Sequence, residues 1–248
     1  MRIDFHALDA LKAKLDRCRP LPKAVVDNLH DSLVLQWTYH SNAIEGNTLT
    51  LKETKVALEG ITIGGKTLRE HFEVINHREA ILFMEELVQQ NTPLSEWNIK
   101  QLHQLVLKNI DTENAGRYRR LNVLIAGAEH KPMDALLVPQ AMADFIGWYE
   151  TQAMQLHPVE RAARVHGEFV KIHPFVDGNG RTSRLLMNLE LMKAGFPAAV
   201  LPVQRRLEYY EALDQAHCHH DYAPFLALIA SVVAESFEPY WWALGVKA

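Results

Sequence analysis

The stretch His173-Pro-Phe-Val-Asp-Gly-Asn-Gly-Arg-Thr-Ser-Arg184 sets both the local architecture and the chemistry of this chain. The residues after Gly180, RTSRLLMNLELMKAG, read as a helix that stops at Gly195, with Pro197 just beyond. Gly178 and Gly180 carry no Cβ, so the backbone before that helix can bend tightly and approach a ligand. The loop feeds a helix N-terminus, where free N–H groups and the helix dipole favour an anion. Arg181 and Arg184 are three apart, on neighbouring faces of the first turns, and two guanidiniums suit phosphate oxygens. Asp177 supplies a hard oxygen for a Mg²⁺ shared with those phosphates. His173 can take the proton of an incoming hydroxyl near neutral pH. Singly these features are ordinary: Gly-Asn-Gly is usually a turn, His-Pro a loop boundary and an arginine pair a solvated face. Together, in one unbroken run opening a helix, they describe a phosphate site with a base beside it.

Outward from this run the chain reads as mainly helical. Apolar residues recur at three-and-four spacing through 69–89 (with Leu68, Phe72, Ile75, Ile81), through 96–107 and through 140–153. Thr50-Leu-Lys-Glu53 is a capping box that starts a new helix, and Ser95 can cap the one carrying Trp97, Ile99, Leu102 and Leu105. Gly60, Gly64 and Gly65 mark 61–66 as a turn. Partial alternation in 118–137 (Leu121, Val123, Ile125, then Gly127) predicts a short β-hairpin. The longest apolar run, Phe225 to Ala234, is too short for a bilayer of ~30 Å and reads as a buried core helix. Neither an internal repeat nor a Pro/Ser-rich linker divides the chain.

Composition narrows the class. The 248 residues are 48% hydrophobic, which supports a folded body, and a net charge of −4 argues against a general nucleic-acid binder. The opening MRIDFHALDALKAK has no apolar signal core, so no secretion signal is expected. Cys18 and Cys218 make no disulfide framework, and a reducing cytoplasm is the simplest setting. In His217-Cys218-His219-His220, adjacent side chains on a helix diverge and cannot all reach one ion.

The run 173–184 resembles the signature of the Fic family, HPF-x-D/E-GNGR-x-x-R, at every specified position. The resemblance continues upstream through Arg164-Val-His166-Gly-Glu-Phe169-Val-Lys-Ile172, similar to the helix leading into the active loop. Gly116-Arg-Tyr-Arg119 through Val123, Gly127, His130 and Pro132 is similar to a flap hairpin over the site. Glu208-Tyr-Tyr-Glu-Ala-Leu213 resembles a segment that contacts adenine, and in all residues 95–235 are covered. The resemblance implies a mainly α Fic-type helical bundle with a short β-hairpin flap. It also implies transfer of AMP from ATP, with Mg²⁺, to a Ser, Thr or Tyr hydroxyl of a target protein, with pyrophosphate leaving. In that reading His173 is the base and Asp177 the metal ligand. Gly178, Asn179 and Gly180 form an anion hole, and Arg181, Thr182, Ser183 and Arg184 complete the phosphate set. Tyr209, Tyr210 and His217 stand on the adenine side, although relatives often carry Asn where this chain has His217. Leu121, Val123, Ile125 and Gly127 would offer an edge to an extended target segment. Members are often homodimers and can modify themselves.

A second motif lies far upstream. Ser41-Asn-Ala-Ile-Glu45-Gly46-Asn47 resembles the family's inhibitory pattern, S/T-x-x-x-E-G/N. Ser41 and Glu45 are four apart, on one face of a helix end that Gly46 can cap. The resemblance implies that Glu45 pairs with Arg184 and competes for the γ-phosphate site. It also implies that residues 1–94 are a helical N-terminal region packed on a catalytic core of 95–248. Three alternatives stay open. The same carboxylate could orient water for the reverse hydrolysis, the scaffold could transfer another group, or the chain could be a regulatory ATP-binding module. The intact GNGR favours AMP transfer over kinase-like chemistry, and retention of His173 argues against a pure binder.

Overall fold

The computed structural model describes residues 5–246, so the charged opening is described from Phe5 onward and its first four residues lie outside the description. Helix starts follow local chemistry. Thr50 and Thr67 each accept the N–H three residues on, while Glu53 and Glu70 reach back to the caps. These boxes open α3 (Leu51–Leu58) and α4 (Leu68–Gln89), behind α1 (His6–Asp16) and α2 (Lys23–Ile44). Ser95 accepts from Asn98 N and caps α5 (Glu96–Val106). After a long loop come α6 (Val138–Thr151), α7 (Pro158–Ile172) and α8 (Asn179–Lys193). The chain then continues through α9 (Arg206–Cys218), α10 (Ala223–Glu235) and α11 (Glu238–Leu244).

Helix α8 is the axis of the fold. Its residues from Arg181 to Leu191 are all buried, α7 lies along it, and α4 and α5 flank it. Polar side chains on a buried helix are costly unless paired. Asn188 exchanges two hydrogen bonds with the backbone of Ala199, at 3.0 and 2.7 Å. Glu190 accepts from Arg161 Nε at 2.7 Å and from Tyr149 at 2.9 Å. Leu15, Trp37 and Ile81 share one apolar cluster with Phe169, Leu185 and Phe225, so the helices before and after residue 95 enclose a common core. Each such side chain contributes about 1.5–3 kcal/mol on burial. Helix α10 buries Phe225, Leu226, Leu228, Ile229, Val232 and Val233, as its apolar run predicts.

Residues 118–137 depart from the expected hairpin: no strand occurs among the described residues. Side chains, not a backbone ladder, hold the two arms of this segment together. Asn122 donates to Asp134 at 3.1 Å and accepts from Ala135 N at 2.7 Å. Arg119 donates to the carbonyls of Leu121 (3.1 Å) and Met133 (2.5 Å). With those carbonyls taken by a guanidinium, the alternation of Leu121, Val123 and Ile125 has no partner strand to pair with. The segment is a loop with one tight turn, Ala128 N to Ile125 O. Among the described residues no helix is long and apolar enough to cross a membrane. Both cysteines are free.

Candidate active site

Helix α7 ends at His173, which adopts a left-handed backbone conformation (φ +51°) and turns the chain into the loop 174–178. Gly178, at φ +76°, makes the second turn and opens α8. The loop closes on itself through Asn179, whose side chain accepts from Phe175 N (3.0 Å) and donates to Phe175 O (2.9 Å). That side chain is therefore spent on shape, and an anion at this site would meet the backbone N–H groups of the helix start. Phe175 is fully buried and stacks on the His103 ring at 3.5 Å.

His103, on the apolar stripe of α5, fixes the same loop. Its Nδ1 accepts from Gly116 N at 2.9 Å, so Nε2 carries the proton and donates to Asp177 O at 2.8 Å. Burial pushes its pKa down to about 4, consistent with this neutral tautomer. Arg119 holds the other end of the loop, donating to His173 O at 2.8 Å while Arg119 N donates to Pro174 O. Neither residue announces a site in the sequence. The one available signal for His103 is a polar side chain on a face otherwise made of Ile99, Leu102 and Val106.

A cavity of about 330 Å³ opens over this loop, with His173, Asp177, Gly178, Asn179 and Gly180 on its floor. Burial lowers the His173 pKa to about 4, with Arg119 pushing the same way, so the ring is neutral at pH 7. Its Nδ1 is buried, which leaves Nε2 as the nitrogen able to face the cavity. For Asp177, burial works to raise the carboxyl pKa. Arg181, the Gly178 N–H and Arg69 overcome that effect and keep it below the usual range. Ile125 and Gly127 line the cavity, whereas Leu121 and Val123 do not. Leu121 and Leu124 are exposed apolar residues on the same loop. Tyr209, Tyr210 and His217 also line the cavity, joined by Asp214 and Arg206.

Glu45, the acidic residue of the upstream motif 41–47, also lines the cavity. It caps the C-terminus of α2, and Gly46 follows at φ +96°, so the cap reading and the site reading hold together. The Glu45 Oε1 accepts from Arg184 Nη2 at 2.7 Å. Arg184 also donates to Ser41 Oγ (3.0 Å) and to Ser41 O (2.8 Å). Its Nη1 reaches the Tyr209 hydroxyl at 3.4 Å, and that hydroxyl is 2.9 Å from His166 Nε2. Tyr209 is thus a buried partner of the arginine as well as a wall of the cavity.

Several expected roles change with these contacts. Gly180 has no positive φ, and what its missing side chain provides is room: a Cβ there would lie 2.2 Å from Glu45 Oε1. Thr182 and Ser183 are buried and do not line the cavity, and Ser183 Oγ donates to Gly180 O at 2.8 Å. Arg181 and Arg184 diverge, the first towards Asp177 and Glu73 and the second towards Ser41 and Glu45.

Residues 93–191 match the Fic/DOC family. A solved Fic domain-containing signaling protein from Bacteroides thetaiotaomicron is 30% identical. The match covers 96% of this chain and 97% of that one, with a TM-score of 0.89. The chain belongs to the Fic/DOC family. Fic-1 (residues 134–508) from C. elegans is similar as well, 34% identical over 97% of this chain and 72% of that structure, with a TM-score of 0.88. Among curated proteins, Protein adenylyltransferase Fic of Nematostella vectensis is 36% identical over 244 residues, 96% of this chain and 56% of its own length. The Fic chain described here spans about half the length of the curated relatives it matches. In this Fic fold, His173, Asp177, the start of α8 and Glu45, itself paired with the buried Arg184, meet at a single cavity.

Proposed function

We propose that this chain is an autoinhibited protein adenylyltransferase, a reading carried above all by Glu45 occupying Arg184 at the head of α8. In the forward reaction His173 Nε2 takes the proton of a target Ser, Thr or Tyr hydroxyl. The oxygen bonds to the α-phosphorus of ATP, the bond to the β-phosphate oxygen breaks, and pyrophosphate leaves. A neutral His173 is ready to accept that proton. The N–H groups at the start of α8 and its dipole offset the negative charge that builds on the phosphoryl oxygens. Tyr210, His217 and Asp214 line the wall available to the adenine. The 120–128 loop, with exposed Leu121 and Leu124, is the surface offered to the target.

Asp177 is the carboxylate suited to a Mg²⁺ that accompanies ATP. It is held ionised at the cavity edge, and no group of three or more His, Cys, Asp or Glu side chains gathers among the described residues. Mg²⁺ takes one or two carboxylates and completes its shell from phosphates and water. Bound there, Mg²⁺ supplies charge neutralisation across the phosphates.

Inhibition follows from the geometry of one side chain. Arg184 is buried and already engaged by Ser41 and Glu45, so a phosphate reaches its guanidinium only if Glu45 leaves. A second outcome is built into the same contact. Glu45 shares the cavity with His173, so a displaced carboxylate can orient water on an AMP-modified hydroxyl and run hydrolysis. The cytoplasm is the setting we propose, in accord with two unpaired cysteines.

The test uses wild-type and Glu45→Gly protein with Mg²⁺ and ATP labelled at the α- or the γ-phosphate. Label retained from the α-position, stronger in Glu45→Gly and abolished by His173→Ala, is the expected result. Retention of γ-label replaces the proposal with kinase-like chemistry. Absence of both labels with intact ATP binding replaces it with a regulatory module.

A further inference from the structure

Neither carboxylate oxygen of Asp177 is free. Its Oδ1 accepts from Gly178 N at 2.6 Å and lies 3.3 Å from Arg181 Nη2. Its Oδ2 accepts from Arg69 Nη2 at 2.5 Å. The two arginines differ in their freedom. The Arg181 side chain is buried, 2% exposed, whereas that of Arg69 is 57% exposed. Arg69 sits in the first turn of α4, so a change of rotamer carries it into water.

Arg69 is also presented to Asp177 by neighbours. One turn along α4, Glu73 accepts from Arg69 Nε at 3.1 Å. Glu73 in turn accepts from Asn47 Nδ2 at 2.9 Å, and Asn47 closes the inhibitory motif. A continuous chain of polar contacts thus runs from the end of α2 through α4 to the carboxylate on the active loop.

We propose that Arg69 is a resident counter-cation on Asp177, which an incoming Mg²⁺ must displace. The N-terminal region then restrains two elements of the site, Arg184 through Glu45 and Asp177 through Arg69. This rests on the assignment of Asp177 as the metal carboxylate. An Mg²⁺ ion bonds oxygen at about 2.0–2.1 Å, and a guanidinium already on Oδ2 both fills the approach and repels the ion. Exchange of one cation for the other keeps Asp177 compensated throughout. Arg69 is held by an exposed ion pair, so the competition weakens apparent metal affinity by about two- to fivefold.

The experiment compares Arg69→Gln and Arg69→Glu with Arg69, all in a Glu45→Gly background that clears Arg184. Thermal midpoints verify that these exposed-site variants are folded. Binding of a non-hydrolysable ATP analogue is followed by calorimetry across a Mg²⁺ series and in its absence. The Mg²⁺ concentration for half-maximal binding should fall about two- to fivefold in Arg69→Gln and further in Arg69→Glu. Metal-free nucleotide affinity should be the same for Arg69 and Arg69→Gln. An unchanged or raised Mg²⁺ midpoint overturns the proposal. So does a loss of metal-free binding in Arg69→Gln, which would make Arg69 a phosphate ligand. A parallel titration with Mn²⁺ alone, read by the electron paramagnetic resonance of the free ion, needs no nucleotide. Should no variant bind nucleotide, the functional assignment fails, while Mn²⁺ bound no more tightly by Arg69→Gln still overturns the role of Arg69.

Discussion

Glu45 Oε1 lies 2.7 Å from Arg184 Nη2, in the space that a Cβ on Gly180 would fill. The glycine of the active loop and the glutamate of the distant motif are therefore shaped for each other. A side chain at Gly180 would meet the carboxylate at 2.2 Å, and the flexible glutamate must give way.

A double-mutant cycle measures this fit. Gly180→Ala should destabilise the protein by about 1–3 kcal/mol, from overpacking and loss of a charge-assisted bond. Most of that penalty should disappear in Glu45→Gly, where the colliding carboxylate is absent. Urea unfolding of the four proteins gives the coupling, and additive effects would mean that Gly180 is needed for another reason.

Arg119 is the tie between the loop over the cavity and the loop beneath it, through the carbonyls of Leu121, Met133 and His173. Arg119→Lys keeps the charge and loses the fork that spans them. The expected cost is about 3–6 kcal/mol, as two hydrogen bonds to a charged donor are lost. Limited proteolysis should then cut faster within 120–133, and label transfer should drop because the His173 carbonyl loses its anchor. Unaltered cleavage would show that Asn122 and Asp134 suffice to hold the segment.

Buried histidines make stability depend on pH in a defined window. Burial holds His103, His173 and His217 at about 4 and also pushes His77 and His166 well below the ordinary value of 6.5. In the unfolded chain these rings take up protons below 6.5, whereas in the folded protein they do not until about 4. Stability is thus fully present above 6.5 and declines as pH falls, on the order of 1 kcal/mol per pH unit for each ring. Carboxylates with lowered values, such as Glu70 at about 2, add their loss only below 4.5. Urea midpoints near pH 7 and about pH 5 should therefore differ clearly, and equal midpoints would mean the rings are protonated while buried.

Local rules made much of the helical frame legible. Thr50 and Ser95 open helices where their hydroxyls can cap them, and Gly195 closes α8 at φ +83°. The alternation in 118–137 misled because it reports only which way side chains point, not whether a partner strand exists. Arg119 and Asn122 supplied the partners instead, across up to 14 residues of sequence. Similar reasoning explains Gly180 and Asn179: a glycine needed for space and an asparagine needed for loop closure look the same in sequence as ligand-binding residues.

By itself the sequence determined most helix boundaries and put His173, Asp177 and the glycine-flanked start of α8 in one short run, because each depends on contacts within a turn or two of backbone. Only the tertiary structure decided what those groups face. Arg184 meets Glu45 across 139 residues, and Asp177 meets Arg69 across 108. Spacing along a helix places two arginines on neighbouring faces but does not say which carboxylate each will meet. Those pairings arise from the packing of α2 and α4 against α8, which leaves the buried Arg184 beside Glu45 and brings the exposed Arg69 to Asp177.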